Sequence, residues 1–92
     1  MLPVSFDAGD LTVSGPLLDF SPLGLSARTP QEVPVGTILR LSVPVDSEIF
    51  HATAVVRARV PGGIGVEFLA MTPIDHNLLD RLYLYLLMSA SA

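Results

Sequence analysis

Cysteine and lysine are both absent from this chain. Without cysteine there is no disulfide framework, no thiolate nucleophile and no Cys-based zinc site, and a reducing, cytoplasmic setting is expected. Without lysine, the five arginines Arg28, Arg40, Arg57, Arg59 and Arg81 carry all the fixed positive charge, against nine acidic residues and a net charge of −4. Only Arg57 and Arg59 are placed to share a basic face, and two charges neutralise too few phosphates to hold nucleic acid. A small anionic ligand asks for less, because one or two well-placed arginines suffice. Long apolar runs are missing too. The longest, Leu82 to Met88, falls far short of the ~20 residues a membrane span needs. The first apolar residues are broken by Pro3, Asp7 and Asp10 and follow no basic segment, so no secretory signal is expected.

What is present is enough for one small core. Half of the 92 residues are hydrophobic and 15% are charged, near the size at which a single domain becomes self-sufficient. No repeat or linker divides the chain, so residues 1–92 are expected to form one domain. Turn signals recur at Ala8-Gly9-Asp10, Ser14-Gly15-Pro16, Pro22 to Gly24, Val33 to Gly36, Val45-Asp46-Ser47 and Pro61-Gly62-Gly63. Short β-rich segments between such signals predict a sandwich or barrel. The expected strands are Val4–Phe6 with Leu11–Val13, Leu17–Phe20, Leu23–Ala27, Ile38–Val45, Ala52–Val60 and Ile64–Leu69.

The clearest local pattern is the hairpin about Pro61-Gly62-Gly63. A three-residue loop sets Val60 against Ile64, Ala58 against Val66 and Val56 against Phe68, all on one apolar face. The same register sets Arg57 opposite Glu67, a cross-strand pair of opposite charge. Pro44 places the end of its strand at a sheet edge. Beyond the last strand, Thr72-Pro73-Ile74-Asp75 reads as a helix start, with Thr at the N-cap and Pro at the first helical position. The helix is predicted over Pro73 to about Met88, with Ile74, Leu78, Leu82, Tyr85 and Leu86 on its core face. Leu84, Leu87 and Met88 fall on the opposite side, and apolar side chains on the outer face of a terminal helix mark a contact with a protein partner or a second copy.

Catalysis finds no support in these residues. His51 and His76 stand in different elements with nothing nearby to complete a metal set or a Ser-His-Asp arrangement. Gly62-Gly63-Ile64-Gly65 lacks the Lys, the Ser/Thr and the following helix of a phosphate loop. No enzyme, metal or cofactor is expected. The remaining motif is Asp19-Phe20-Ser21-Pro22-Leu23-Gly24, with spacing D-x-S-x-x-G. On an extended chain Asp19 and Ser21 project from one face while Leu18 and Phe20 point to the core. A carboxylate, a hydroxyl and a bare backbone together make a polar recognition surface. Between strands, the same residues also suit an ordinary turn.

The motif resembles half of the signature of PilZ domains, bacterial receptors for cyclic di-GMP. The likeness extends along the chain: a strand begins at Gly24-Leu25-Ser26-Ala27, a marked turn leads into Val35-Gly36-Thr37-Ile38-Leu39-Arg40-Leu41, and a long hairpin closes with Gly63-Ile64-Gly65-Val66-Glu67-Phe68. A helix starting at Thr72-Pro73 ends it. The resemblance implies an all-β fold with a C-terminal helix, a six-stranded antiparallel β-barrel capped by one α-helix. It also implies a cyclic di-GMP surface at Asp19, Ser21 and Gly24. The family's other half-site, R-x-x-x-R, clamps phosphates and stacks on guanine, and would lie immediately before Met1; this chain contains no such spacing. Arg28 or Arg57 are the candidate substitutes. Three readings stay open: a PilZ-like signalling domain with weak or lost cyclic di-GMP binding that acts through protein contact at Leu84, Leu87 and Met88; a competent receptor using a substitute arginine or one from outside this chain; and an unrelated small β-barrel module.

Overall fold

The computed structural model describes residues 2–90, so residues 1, 91 and 92 of the expected domain lie outside the described residues. Six strands are followed by one helix: β1 Pro3–Asp7, β2 Thr12–Ser21, β3 Gly24–Arg28, β4 Ile38–Val45, β5 Glu48–Val60, β6 Gly63–Ala70 and α1 Pro73–Ala90. All pairings are antiparallel, and the order β1-β2-β3-β6-β5-β4 closes on itself as a barrel. Closure satisfies the backbone groups that an open sheet would leave at its edges. Alternation fills the interior: Val4 and Phe6, Leu39, Leu41, Val43 and Val45, and Ile64 and Val66 are all buried. Val33, in the loop between β3 and β4, joins this core although no periodicity marks it.

Three local expectations are corrected. First, Ser14-Gly15-Pro16 is no turn, and β2 runs unbroken through it. A Cβ at Gly15 would stand 1.7 Å from the Arg28 carbonyl oxygen, so this glycine marks a close backbone crossing inside a continuous strand. Second, a register shift between Leu17 and Asp19 displaces the alternation, leaving Leu18 exposed while Leu17 packs on the core. Third, the β5–β6 loop is two residues, with Val60 paired to Gly63. Pro61 followed by Gly62 at φ 75° suits this tighter turn. A bulge between Val56 and Ala58 then brings Val56 opposite Val66 and Ala54 opposite Phe68. The expected single apolar face therefore breaks, with Ala58 exposed and Val60 half-buried. The end of β4 at Pro44 does lie at an edge, as expected: the β1–β4 pairing covers only Arg40 to Ser42 and leaves Pro44 with β5 alone.

The helix begins where the capping residues place it. The Asp75 N–H donates to Thr72 Oγ1 at 3.2 Å, and the Thr72 hydroxyl donates to Asp75 Oδ2 at 2.7 Å. This is a reciprocal capping arrangement. Its core face is rotated from the expectation: Leu78, Leu79 and Leu82 are buried, whereas Ile74 and Tyr85 are mostly exposed. Asp75 causes the rotation, because its Oδ1 accepts the His51 N–H of β5 at 3.0 Å and so turns the first helical turn's carboxylate, not Ile74, toward the barrel.

Candidate functional site

The β2–β3 hairpin positions the D-x-S-x-x-G residues. Ser21 pairs with Gly24, so Pro22 and Leu23 form the turn between them. The Ser21 Oγ accepts the Leu23 N–H at 3.3 Å and donates to the Gly24 carbonyl at 3.4 Å. The Asp19 Oδ1 accepts the Phe20 N–H at 2.8 Å. Asp19 and Ser21 are both exposed and flank the half-buried Phe20, as alternation requires. Their polar atoms thus shape their own hairpin while still facing outward. Gly24 has a tighter constraint, because a Cβ there would lie 2.1 Å from the Val66 carbonyl oxygen. The close approach of β6 is sufficient reason for a glycine at this position.

These residues line an open groove of about 540 Å³ together with Leu25, Ser26, Arg57, Gly65 and Glu67. Arg57 is brought to Asp19 and Ser21 by the pairing of β6 with both β3 and β5. Its Nε donates to Glu67 Oε1 at 2.8 Å, so the expected cross-strand pair forms despite the bulge. Among the described residues Arg57 is the one cation lining this groove. Arg28 is exposed at the far end of β3, opposite Gly63, and does not line it. The structure therefore assembles Asp19, Ser21, Gly24 and Arg57 and leaves Arg28 apart.

A second groove, of about 380 Å³, runs between β2 and α1 and is lined by Leu17, Leu18, Asp19, Phe20, Tyr83 and Leu87, among others. Asp19 and Phe20 border both grooves. The Phe20 ring meets Tyr83 with centroids 6.1 Å apart and Phe68 at 6.3 Å, within ordinary aromatic pairing distances. A single side chain thereby joins the motif hairpin to the helix. Sequence reasoning placed Phe20 in the core but found no signal for its helix partner, which lies 63 positions away. Leu84, Leu87 and Met88 are exposed on the helix as expected.

A third cleft, of about 250 Å³, collects Arg40, His51, Thr53, Thr72 and Asp75 between the barrel and the helix start. Burial raises the Asp75 carboxyl, but the Thr72 hydroxyl, the His51 and Thr72 backbone N–H groups and the His51 ring outweigh it. The net shift is below the ordinary value. Sequence reasoning treated Asp75 as a helix-start residue only and missed that it ties α1 to β5. His76 is exposed on the helix. Among the described residues no group of three His, Cys, Asp or Glu side chains is arranged to hold a metal, and no helix is long and apolar enough to cross a membrane.

Comparison with known proteins agrees with this architecture. The family model for the PilZ domain matches residues 1–85. The crystal structure of the PilZ domain of CeSA from a cellulose-synthesizing bacterium superposes with a TM-score of 0.74 at 19% sequence identity, covering 92% of this chain and 91% of that one. That likeness carries the fold. No curated protein is significantly similar to the chain.

Proposed function

We propose a function that starts from the family: this chain belongs to the PilZ domain family, a non-catalytic signalling module, and in this chain it holds cyclic di-GMP weakly or not at all. Its output is a protein–protein contact at the outer face of α1, and it works in the bacterial cytoplasm. The observation that carries the ligand half of this reading is the state of Arg57. It is the single cation lining the Asp19 groove among the described residues, and Glu67 holds it at 2.8 Å.

Cyclic di-GMP brings two phosphates, and a clamp built of arginines supplies charge-assisted contacts of ~1.5–3 kcal/mol each. The given sequence has no R-x-x-x-R spacing, so its own residues supply neither of two such contacts. Losses of that size weaken binding by about a hundredfold to ten-thousandfold. Asp19, Ser21 and the Gly24 backbone still offer acceptors and donors to a guanine edge. These residues therefore fit the base half of the ligand and not its phosphates. The support for protein contact is the exposure of Leu84, Leu87 and Met88 on one side of the helix.

The competent-receptor reading keeps one favourable observation, that Arg57 shares a groove with Asp19 and Ser21. Calorimetric titration with cyclic di-GMP separates the two. Heat too weak to saturate at roughly 100 μM ligand is expected. Saturable binding near 1 μM that Asp19→Ala or Arg57→Ala abolishes would establish the receptor instead. Family membership disposes of the unrelated-barrel reading.

A further inference from the structure

We infer that the groove between β2 and α1 docks a basic, amphipathic segment of another protein, whose apolar side chains lie between Leu18 and Leu87 and whose cations meet Asp19 and Asp80. The inference rests on the protein-contact reading above and names the chemistry of the partner. The groove holds about 380 Å³, which is room for a few side chains of a docked segment. Leu18 on the β2 wall is exposed by 42% and Leu87 on the α1 wall by 48%. The register shift in β2 turns Leu18 outward and so completes the apolar slot. That wall is also a strand flank: β1 pairs with β2 only as far as Pro16. The Leu17 N–H is the last to reach β1, donating to the Leu2 carbonyl at 2.8 Å.

Charge selects the partner. Asp19 lines the groove, and no arginine does. Asp80 precedes Tyr83, Leu84 and Leu87 at helical spacing and so shares their face. Both carboxylates are exposed. Neither is ion-paired among the described residues, because Arg57, Arg59 and Arg81 are taken by Glu67, Glu32, Asp46 and Glu48. His76 stands one further turn toward the helix start, away from the groove. Asp19 Oδ1 accepts the Phe20 N–H at 2.8 Å, which leaves Oδ2 for a partner. An apolar slot flanked by two unpaired carboxylates suits an arginine or lysine, whose stem lies along apolar surface while its head reaches the carboxylate. A second copy docking by the same face brings carboxylates and no cation. An anionic membrane is repelled by the same two groups and by the net charge of −4.

The two kinds of contact have different roles. An exposed ion pair changes binding by about two- to five-fold, so the carboxylates choose the partner while burial of Leu18 and Leu87 supplies most of the affinity. A slot of this size gives a reversible contact, with a dissociation constant on the order of 100 μM for an isolated peptide. Asp19 also borders the Arg57 groove, whereas Asp80 does not line it. Replacing Asp80 therefore reads the docking surface alone.

The test is an NMR titration of the isotope-labelled chain with a short amphipathic peptide of leucine, alanine and arginine, set against its counterpart with glutamate for each arginine. Backbone signals of Leu18 to Phe20 and Tyr83 to Leu87 are expected to shift and saturate with the arginine peptide below ~1 mM. The glutamate peptide is expected to leave them in place. Asp80→Asn and Asp19→Asn each weaken binding about two- to five-fold, and added salt weakens it as well. Leu87→Ser removes the shifts while the unfolding curve stays in place, because the site is on the surface. Ile74→Ser, exposed by 71% in the first turn of the same helix, changes nothing. Equal shifts from both peptides overturn the basic partner and leave the protein contact standing, whereas no shift from either removes contact and partner together. If the same signals move with protein concentration alone, the surface belongs to a second copy and the inference is also overturned. Tight nucleotide binding in the calorimeter defeats the weak-ligand reading and not this one.

Discussion

Replacing Gly24 with alanine distinguishes a glycine kept for a ligand from one kept for the barrel. The added Cβ would stand 2.1 Å from the Val66 carbonyl oxygen, 3.1 Å from its carbonyl carbon and 3.2 Å from the Glu67 Cα, all backbone atoms. Ordinary contact begins near 3.4 Å, so β3 and β6 would have to separate by more than 1 Å. That pair is joined at five consecutive positions from Gly24–Glu67 to Arg28–Gly63. It is braced again where the Phe68 N–H donates to the Leu23 carbonyl at 2.8 Å. No side chain can rotate away to relieve the clash. Overpacking of this kind costs about 3 kcal/mol or more, a large share of the ~5–14 kcal/mol expected for a domain of this length. Thermal unfolding by circular dichroism should shift down by roughly 12–24 °C. Gly36 gives the contrast. Its φ is 95°, and a Cβ there would meet nothing within 4 Å, so Gly36→Ala meets only backbone strain of ~1–2 kcal/mol. If Gly24→Ala melts like wild type, the crossing is not what selects glycine there, and a ligand role regains priority.

Asp75→Ala should cost about 2 kcal/mol in urea unfolding at pH 7, since it removes the capping exchange with Thr72 and leaves the His51 N–H without its acceptor. The Asp75 carboxyl is held below its ordinary 3.8 in the folded protein. Its contribution is therefore fully present above that value and disappears as pH falls through the lower folded value. Wild type and variant should converge on acidification below about pH 4; an equal gap at pH 7 and pH 2.5 would assign the loss to packing instead. Glu67→Gln frees Arg57 from an exposed pair worth at most ~1 kcal/mol. The unfolding midpoint should barely move while the weak response to cyclic di-GMP strengthens a few-fold, and a weaker response would remove Arg57 from the site.

Much of the fold was legible in the chain because its signals are local. Alternating apolar residues in β1, β4 and β6 face the interior, since a strand has only two sides and one meets the core. Thr72, Pro73 and Asp75 started the helix because a cap is chosen by residues within one turn. The Arg57–Glu67 pair was readable from the hairpin alone and survived a register error. The order of parts, from D-x-S-x-x-G to the terminal helix, was enough to point to the family.

What lay beyond the sequence depends on contacts between distant segments. Gly15 looked like a turn because nothing near it reveals that the Arg28 backbone crosses at that point. Bulges in β2 and β5 reversed the exposure expected for Leu18 and Ala58, and a bulge answers to barrel curvature rather than to residue type. The helix face turned because Asp75 reaches a backbone N–H on β5, 24 positions earlier. In the candidate site, the sequence by itself determined the identities of Asp19, Ser21 and Gly24 and the absence of an R-x-x-x-R spacing. Only the tertiary structure decided that Arg57 shares their groove and Arg28 does not, because strand order, not distance along the chain, sets which side chains meet on a closed barrel.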